Sequence, residues 1–90
     1  MKIVKISSLG CPSCIIMNKV FNKVKENYTF DLEEYDYDLD EIDKFNAGNK
    51  MPVYIFYDGD KEITRLIGEH KIEEFDNILR SIKWKRLFIF

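Results

Sequence analysis

Cys11-Pro12-Ser13-Cys14 stands where an apolar, β-branched run ends and a helical pattern begins. The chemistry of a thiol depends on how much of it is thiolate. A cysteine at the mouth of a helix is helped toward that state by unpaired N–H groups and by the positive end of the helix dipole. Pro12 suits the first helical turn, because its missing N–H has no intrahelical partner there and its φ is already set for a helix. Cys11 is therefore the candidate nucleophile. Cys14, one turn further and less exposed, is placed to attack a mixed disulfide formed by Cys11. A Cys-x-x-Cys pair beside a β–α–β pattern, in a chain with no other cysteine, reads as a redox motif.

Rival readings of the pair carry less weight. Cysteine also behaves as a small hydrophobe, so two inert buried thiols are the plain alternative; the strand-to-helix position argues against it. A structural zinc site takes four Cys or His ligands, and here two cysteines are joined only by His70, the single histidine. An iron–sulfur cluster shared across a dimer is the remaining metal arrangement and is disfavoured. Asp36-x-Asp38-x-Asp40 opens like a calcium loop, but Glu41 occupies the glycine position and Ala47 the closing glutamate position, so calcium is rejected. No metal and no organic cofactor is expected.

The elements that must position the thiols follow from periodicity. Lys2 to Ser7 is rich in β-branched residues and reads as a strand ending at Ser8-Leu9-Gly10. Ile16, Met17, Val20, Phe21 and Val24 form one stripe of a helix that runs to about Asn27. Thr29 to Tyr37 alternates as a strand, and Asp40 to Asn46 reads as a short acidic helix capped by Asp38 or Asp40, with Ile42 and Phe45 on one face. Val53 to Tyr57 is a strong strand signal, Asp58-Gly59 a hairpin turn, and Glu62 to Ile67 the returning strand, closed by Gly68. Ile72, Phe75, Ile78, Leu79 and Ile82 make a last core-facing helix. The order β-α-β-α-β-β-α implies parallel pairing with a right-handed crossover first, then an antiparallel hairpin. The expectation is an α/β domain with a central mixed four-stranded sheet flanked by helices.

Composition bounds the function. Ninety residues make one small domain, and an apolar share of 46% suits a globular core. The net charge of −2 comes from 14 basic and 16 acidic residues without a basic stripe, which argues against nucleic-acid binding. Lys5 interrupts the only apolar N-terminal residues, so no export signal is read, and no run is long enough to span a bilayer. A leaderless two-cysteine chain fits the reducing cytoplasm.

The same residues resemble the thioredoxin family. The resemblance rests on the element order, Cys11-Pro12-Ser13-Cys14 at the first helix, Met51-Pro52 opening the third strand, Asp58-Gly59 between the last two strands and Gly68 after the fourth. It covers residues 1–82 and implies the thioredoxin fold. It further implies that Pro52 is cis and faces the thiols, and that Met51 offers backbone groups to an extended substrate. Gly68, Glu69 and His70 would border the same groove, with His70 either touching a partner or standing solvated at the start of the last helix. Three features differ from thioredoxins: Gly10 precedes the first cysteine, the dipeptide is Pro12-Ser13, and Lys5 stands where thioredoxins carry a buried Asp. The dipeptide is nearer to glutaredoxins, yet Lys50-Met51 and Gly68-Glu69 replace their glutathione signature. Both subfamily readings stay open.

The resemblance implies a thiol–disulfide oxidoreductase that reduces or exchanges disulfides of proteins or small molecules. Cys11 and Cys14 would be catalytic, with Pro12, Pro52 and Lys5 supporting. Electrons would come from a partner reductase or from glutathione, and a monomer without membrane attachment is expected. Lys5, on a central strand, either lies beneath the thiols and favours their thiolates or lets its stem carry the charge to solvent. A glutathione-coupled reductase and a non-catalytic binding module are the alternatives. The stretch 83–90, which adds three cations to five large apolar residues, reads as an extension of the last helix or a tail, by default packed on the domain rather than on a partner or an anionic membrane.

Overall fold

The computed structural model describes the backbone of residues 1–88 and side chains through residue 82. Four strands, β1 (Lys2–Ser7), β2 (Asp31–Asp36), β3 (Val53–Asp58) and β4 (Lys61–Ile67), form one sheet in the order β2-β1-β3-β4. β1 pairs parallel with β2 and antiparallel with β3, and β4 returns antiparallel to β3. Helix α1 (Pro12–Asn27) links β1 to β2, as parallel pairing demands, and α2 (Ile72–Phe88) closes the chain. The mixed sheet expected from the element order is present. The packing expected of the 83–90 side chains lies outside the described residues.

Alternation along β1 and β3 divides the core into two layers. Ile3, Tyr54 and Phe56 pack against Met17, Phe21 and Val24 of α1 and Phe75, Leu79 and Ile82 of α2. On the opposite face Val4, Ile6, Val53 and Ile55 pack against Cys14, Phe45, Ala47 and Met51. Both helices therefore pack chiefly on one face, and the chain from Phe45 to Met51, with Cys14 from the first turn of α1, covers the other. Aromatic rings knit the helical layer: Phe21 and Tyr54 lie 4.9 Å apart by centroid, and Tyr54 meets Phe75 edge-on at 5.1 Å. Of the predicted α1 stripe, Met17, Phe21 and Val24 are buried; Ile16 is exposed, and Cys14 takes its place on the inner face.

Two local expectations shift. The acidic helix over 40–46 is reduced to a single 3-10 turn, Asp43–Phe45, entered at Ile42 without a side-chain cap. Of the two expected caps, Asp38 accepts from the Ser8 hydroxyl at 2.9 Å, and Asp40 joins Asp36 in a turn instead. Asp36 Oδ1 accepts from the N–H groups of Asp38 (2.8 Å) and Leu39 (3.2 Å), and Asp40 Oδ2 accepts from that of Asp36 (2.7 Å). Aspartates compete for backbone donors in this way, which favours turns over helices. Phe45 is nonetheless buried, as its spacing from Ile42 predicts. The hairpin turn falls one residue later than expected: Asp58 pairs with Lys61, leaving Gly59 and Asp60 as the loop, with Gly59 at φ +64°.

Candidate active site

The first turn of α1 forms around Cys11. Its backbone is extended (φ −94°, ψ 110°), Pro12 begins the helix, and the Cys11 sulfur accepts the Cys14 N–H at 3.2 Å. The sulfur thus does the work of a capping oxygen, satisfying an N–H that the helix leaves unpaired. The first turn contains no acidic residue, so nothing within the helix opposes a negative charge there. Gly10, at φ +75°, lets the chain reverse between β1 and the helix.

Cys14 is different. It is 4% exposed, among Val4, Ile6, Phe45 and Met51, while Cys11 is half-buried. Burial pushes its thiol up to about 11, reinforced by a hydrogen bond to Cys11; the Ser8 backbone and the Lys5 charge pull weakly the other way. Both thiols are free.

Opposite the thiols, the Met51–Pro52 bond is cis, and Cys11 Sγ points at the Met51 carbonyl, 3.8 Å away. The Pro52 carbonyl accepts the Gly68 N–H at 2.8 Å, which ties the end of β4 to the start of β3. Gly68 has φ +82°, and a Cβ there would stand 2.9 Å from the Lys50 side chain, so the position suits glycine on two counts. Glu69, the next residue, accepts from the Ser13 hydroxyl at 3.2 Å and so bridges the cysteine loop to the β4–α2 connection. Cys11, Cys14, Met51, Pro52, Gly68 and Glu69 thus gather at one end of the sheet.

His70 is turned toward its own connection. Its Nδ1 lies 3.0 Å from Glu74 Oε2 and its Nε2 2.9 Å from the Ile67 carbonyl, so both ring nitrogens are engaged. Its backbone N–H meets Met17 Sδ at 3.3 Å. Lys5 lies inside rather than reaching solvent: its side chain is 12% exposed, with Nζ 2.6 Å from Asn18 Oδ1 and 3.6 Å from Glu34 Oε1. Asn18 and Glu34 join Lys5, and Ser13 joins Glu69, only through the folded chain. Helical spacing from Cys14 points to Asn18, whereas Glu34 is found only once the β1–β2 register is known. Among the described residues, no group of three or more His, Cys, Asp or Glu side chains is arranged to hold a metal ion, and no helix is long and apolar enough to cross a membrane.

No family model and no curated protein matches the sequence. Solved structures do. Thioredoxin 1 from the thermophilic eubacterium Thermosipho africanus is 24% identical, with 96% of this chain and 99% of that one covered at a TM-score of 0.76. The reduced Schistosoma mansoni thioredoxin pre-protein is 20% identical over 89% of this chain and 76% of its own, at a TM-score of 0.78. Fasciola hepatica thioredoxin is 25% identical over 88% and 78%, at a TM-score of 0.70. The fold shared with these structures is the thioredoxin fold.

Proposed function

We propose that this thioredoxin-fold chain is a thiol–disulfide oxidoreductase working through Cys11 and Cys14. The observation that carries the reading is the Cys14 N–H on the Cys11 sulfur at the helix mouth, facing the Met51-Pro52 segment. Cys11 thiolate attacks one sulfur of a substrate disulfide. A Cys11–substrate bond forms, and the other substrate sulfur leaves with the electron pair and takes up a proton. Cys14, as thiolate, then attacks Cys11, so that the Cys11–Cys14 bond forms and the second substrate sulfur departs. The substrate gains two electrons and the dithiol is oxidised.

Met51 and Pro52 supply an edge along which an extended segment lies while its disulfide meets Cys11. No metal or organic cofactor takes part in this scheme. Electrons return from a partner reductase or from glutathione, in the cytoplasm, with the chain acting as a monomer. Insulin reduction driven by dithiothreitol tests the reading: it should fall at least a hundredfold in Cys11→Ser, and Cys14→Ser should accumulate a covalent mixed disulfide. Turnover that ignores both substitutions would leave the chain a binding module.

A further inference from the structure

Pro52 and Gly68 meet in the wall opposite the thiols, and one side chain lies across that meeting point. The Gly68 N–H is tied to the Pro52 carbonyl at 2.8 Å. Lys50, two residues before Pro52, folds its stem over Gly68: a Cβ there would stand 2.9 Å from Lys50 Cε and 3.5 Å from Nζ. The glycine leaves the space that the lysine stem fills, so the ammonium is parked beside the groove with its stem packed on the backbone. Lys50 is exposed, and among the described residues it has no ion-pair partner. Glu69, the nearest carboxylate along the β4–α2 connection, accepts instead from the Ser13 hydroxyl on the α1 side. Between Lys50 and Pro52, Met51 presents the carbonyl that lies 3.8 Å from the Cys11 sulfur.

We propose that Lys50 is a specificity-determining residue of the exchange reaction, favouring disulfides that carry a carboxylate close to the sulfur that Cys11 attacks. The inference rests on the redox reading of the cysteine pair. An extended segment along Met51 advances about 3.3 Å per residue, so a side chain one or two positions from its reacting cysteine comes within reach of the ammonium. An acidic side chain there gains an ion pair, and a basic one meets a like charge. Two sources supply this chemistry: an acidic residue flanking the cysteine of a protein disulfide, and the carboxylates of a small peptide disulfide such as oxidised glutathione. Lys50 makes and breaks no bond. In the step, the Cys11 thiolate attacks the nearer substrate sulfur, the Cys11–substrate bond forms and the substrate disulfide breaks; the departing sulfur leaves with the electron pair and takes a proton from solvent.

An exposed ion pair is worth up to about fivefold in an equilibrium or a rate. Neutralising Lys50 should therefore slow capture of an anionic disulfide about threefold, and reversing its charge about tenfold. Three disulfides of different charge read this on the reduced protein. Dithionitrobenzoate carries a carboxylate on each ring; it releases one thionitrobenzoate in a first phase, when Cys11 is captured, and another in a second, when Cys14 resolves the mixed disulfide. Dithiodipyridine is neutral and cystamine is cationic.

Lys50→Gln should slow the first phase with dithionitrobenzoate about threefold and Lys50→Glu about tenfold, both leaving dithiodipyridine unchanged. Lys50→Glu should speed capture by cystamine, and Lys50→Arg should match the unaltered protein. The differences should shrink in about 1 M salt, which screens exposed charges beyond about 3 Å. Rates that move together for all three disulfides would place the effect on the Cys11 sulfur and not on the substrate, and so overturn the proposal. Rates that do not move, or that move equally in Lys23→Gln on the exposed side of α1, overturn it as well. Oxidised glutathione, and disulfide-linked peptides with Glu or Gln beside the cysteine, separate the sources. A preference for the Glu peptide that disappears in Lys50→Gln assigns the protein source, a Lys50 dependence confined to glutathione assigns the small one, and dependence in neither overturns the proposal. Absence of insulin turnover in the unaltered protein would count against the redox reading, while the charge dependence of Cys11 capture would still judge Lys50.

Discussion

Cys11 and Cys14 lie one helical turn apart, yet the fold gives them opposite surroundings. Cys11 closes the helix mouth, half-buried, with a backbone N–H on its sulfur and the Met51 carbonyl opposite. Cys14 points inward among apolar side chains, where water is excluded and a negative charge is costly. Residue type is the same at both positions; burial makes the difference. In the proposed exchange reaction this asymmetry would serve both steps, the outer sulfur meeting the substrate and the inner one staying protonated until a mixed disulfide needs resolving.

The largest effect expected from that contrast is in labelling. With its thiol near 11, Cys14 is ionised about a hundredfold less at pH 7.5 than a thiol at the ordinary value of 9.0. In a Cys11→Ser variant, iodoacetamide should therefore modify Cys14 about tenfold more slowly in the folded state than in urea, because the more basic thiolate is also the more nucleophilic. Equal rates in the two states would erase the distinction between the sulfurs.

The same burial has a thermodynamic counterpart. The native state holds the Cys14 proton that the unfolded chain releases from about pH 9 upward, so stability is full below that pH and falls as pH rises toward about 11. Two pH units correspond to about 3 kcal/mol. Urea titrations of the reduced protein should show this fall, and the oxidised protein, which has no thiol to ionise, should lack it. Burial also raises Tyr54, so its contribution has the same sign at still higher pH.

Tyr54 sharpens the comparison from the other side of the sheet. It is fully buried, and among the described residues its hydroxyl is without a hydrogen-bond partner. An unpaired buried hydroxyl costs about 1–3 kcal/mol, and phenylalanine fills the same ring space without it. Tyr54→Phe should thus leave stability unchanged or raise it by about 1 kcal/mol in urea unfolding. A loss of more than 1 kcal/mol would mean that the hydroxyl has a native partner, with Cys14 the first to examine.

Much of this arrangement is legible in the sequence, for reasons that differ by element. Val53 to Tyr57 and Lys2 to Ser7 carry strong strand signals, and the Cys11-Pro12 start of α1 needs only local rules of helix geometry. The Asp36–Asp40 segment misleads because its acidic residues fit a helix start and an aspartate turn equally well, and which wins depends on where β2 ends. Ile16 fits the helical period but faces solvent, while Cys14, outside that stripe, is buried. The Glu34–Lys5–Tyr54 row is invisible without register: its members are separated along the chain and meet only because β1 pairs parallel with β2 and antiparallel with β3.

The smallest expected effect concerns Ser13. Its hydroxyl donates to Glu69 at 3.2 Å, and both side chains are exposed to competing water. Such a bond contributes at the low end of the usual range, about 0.5 kcal/mol. If the reactivity of Cys11 comes from the helix mouth, Ser13→Ala should leave the first phase of dithionitrobenzoate reduction within about twofold, because the Cys14 N–H still caps the sulfur. Glu69→Gln should behave likewise. A tenfold acceleration in either variant would show instead that the Glu69 carboxylate acts on the Cys11 charge across the groove. The outer sulfur would then be governed by a side chain from another element rather than by the helix mouth alone.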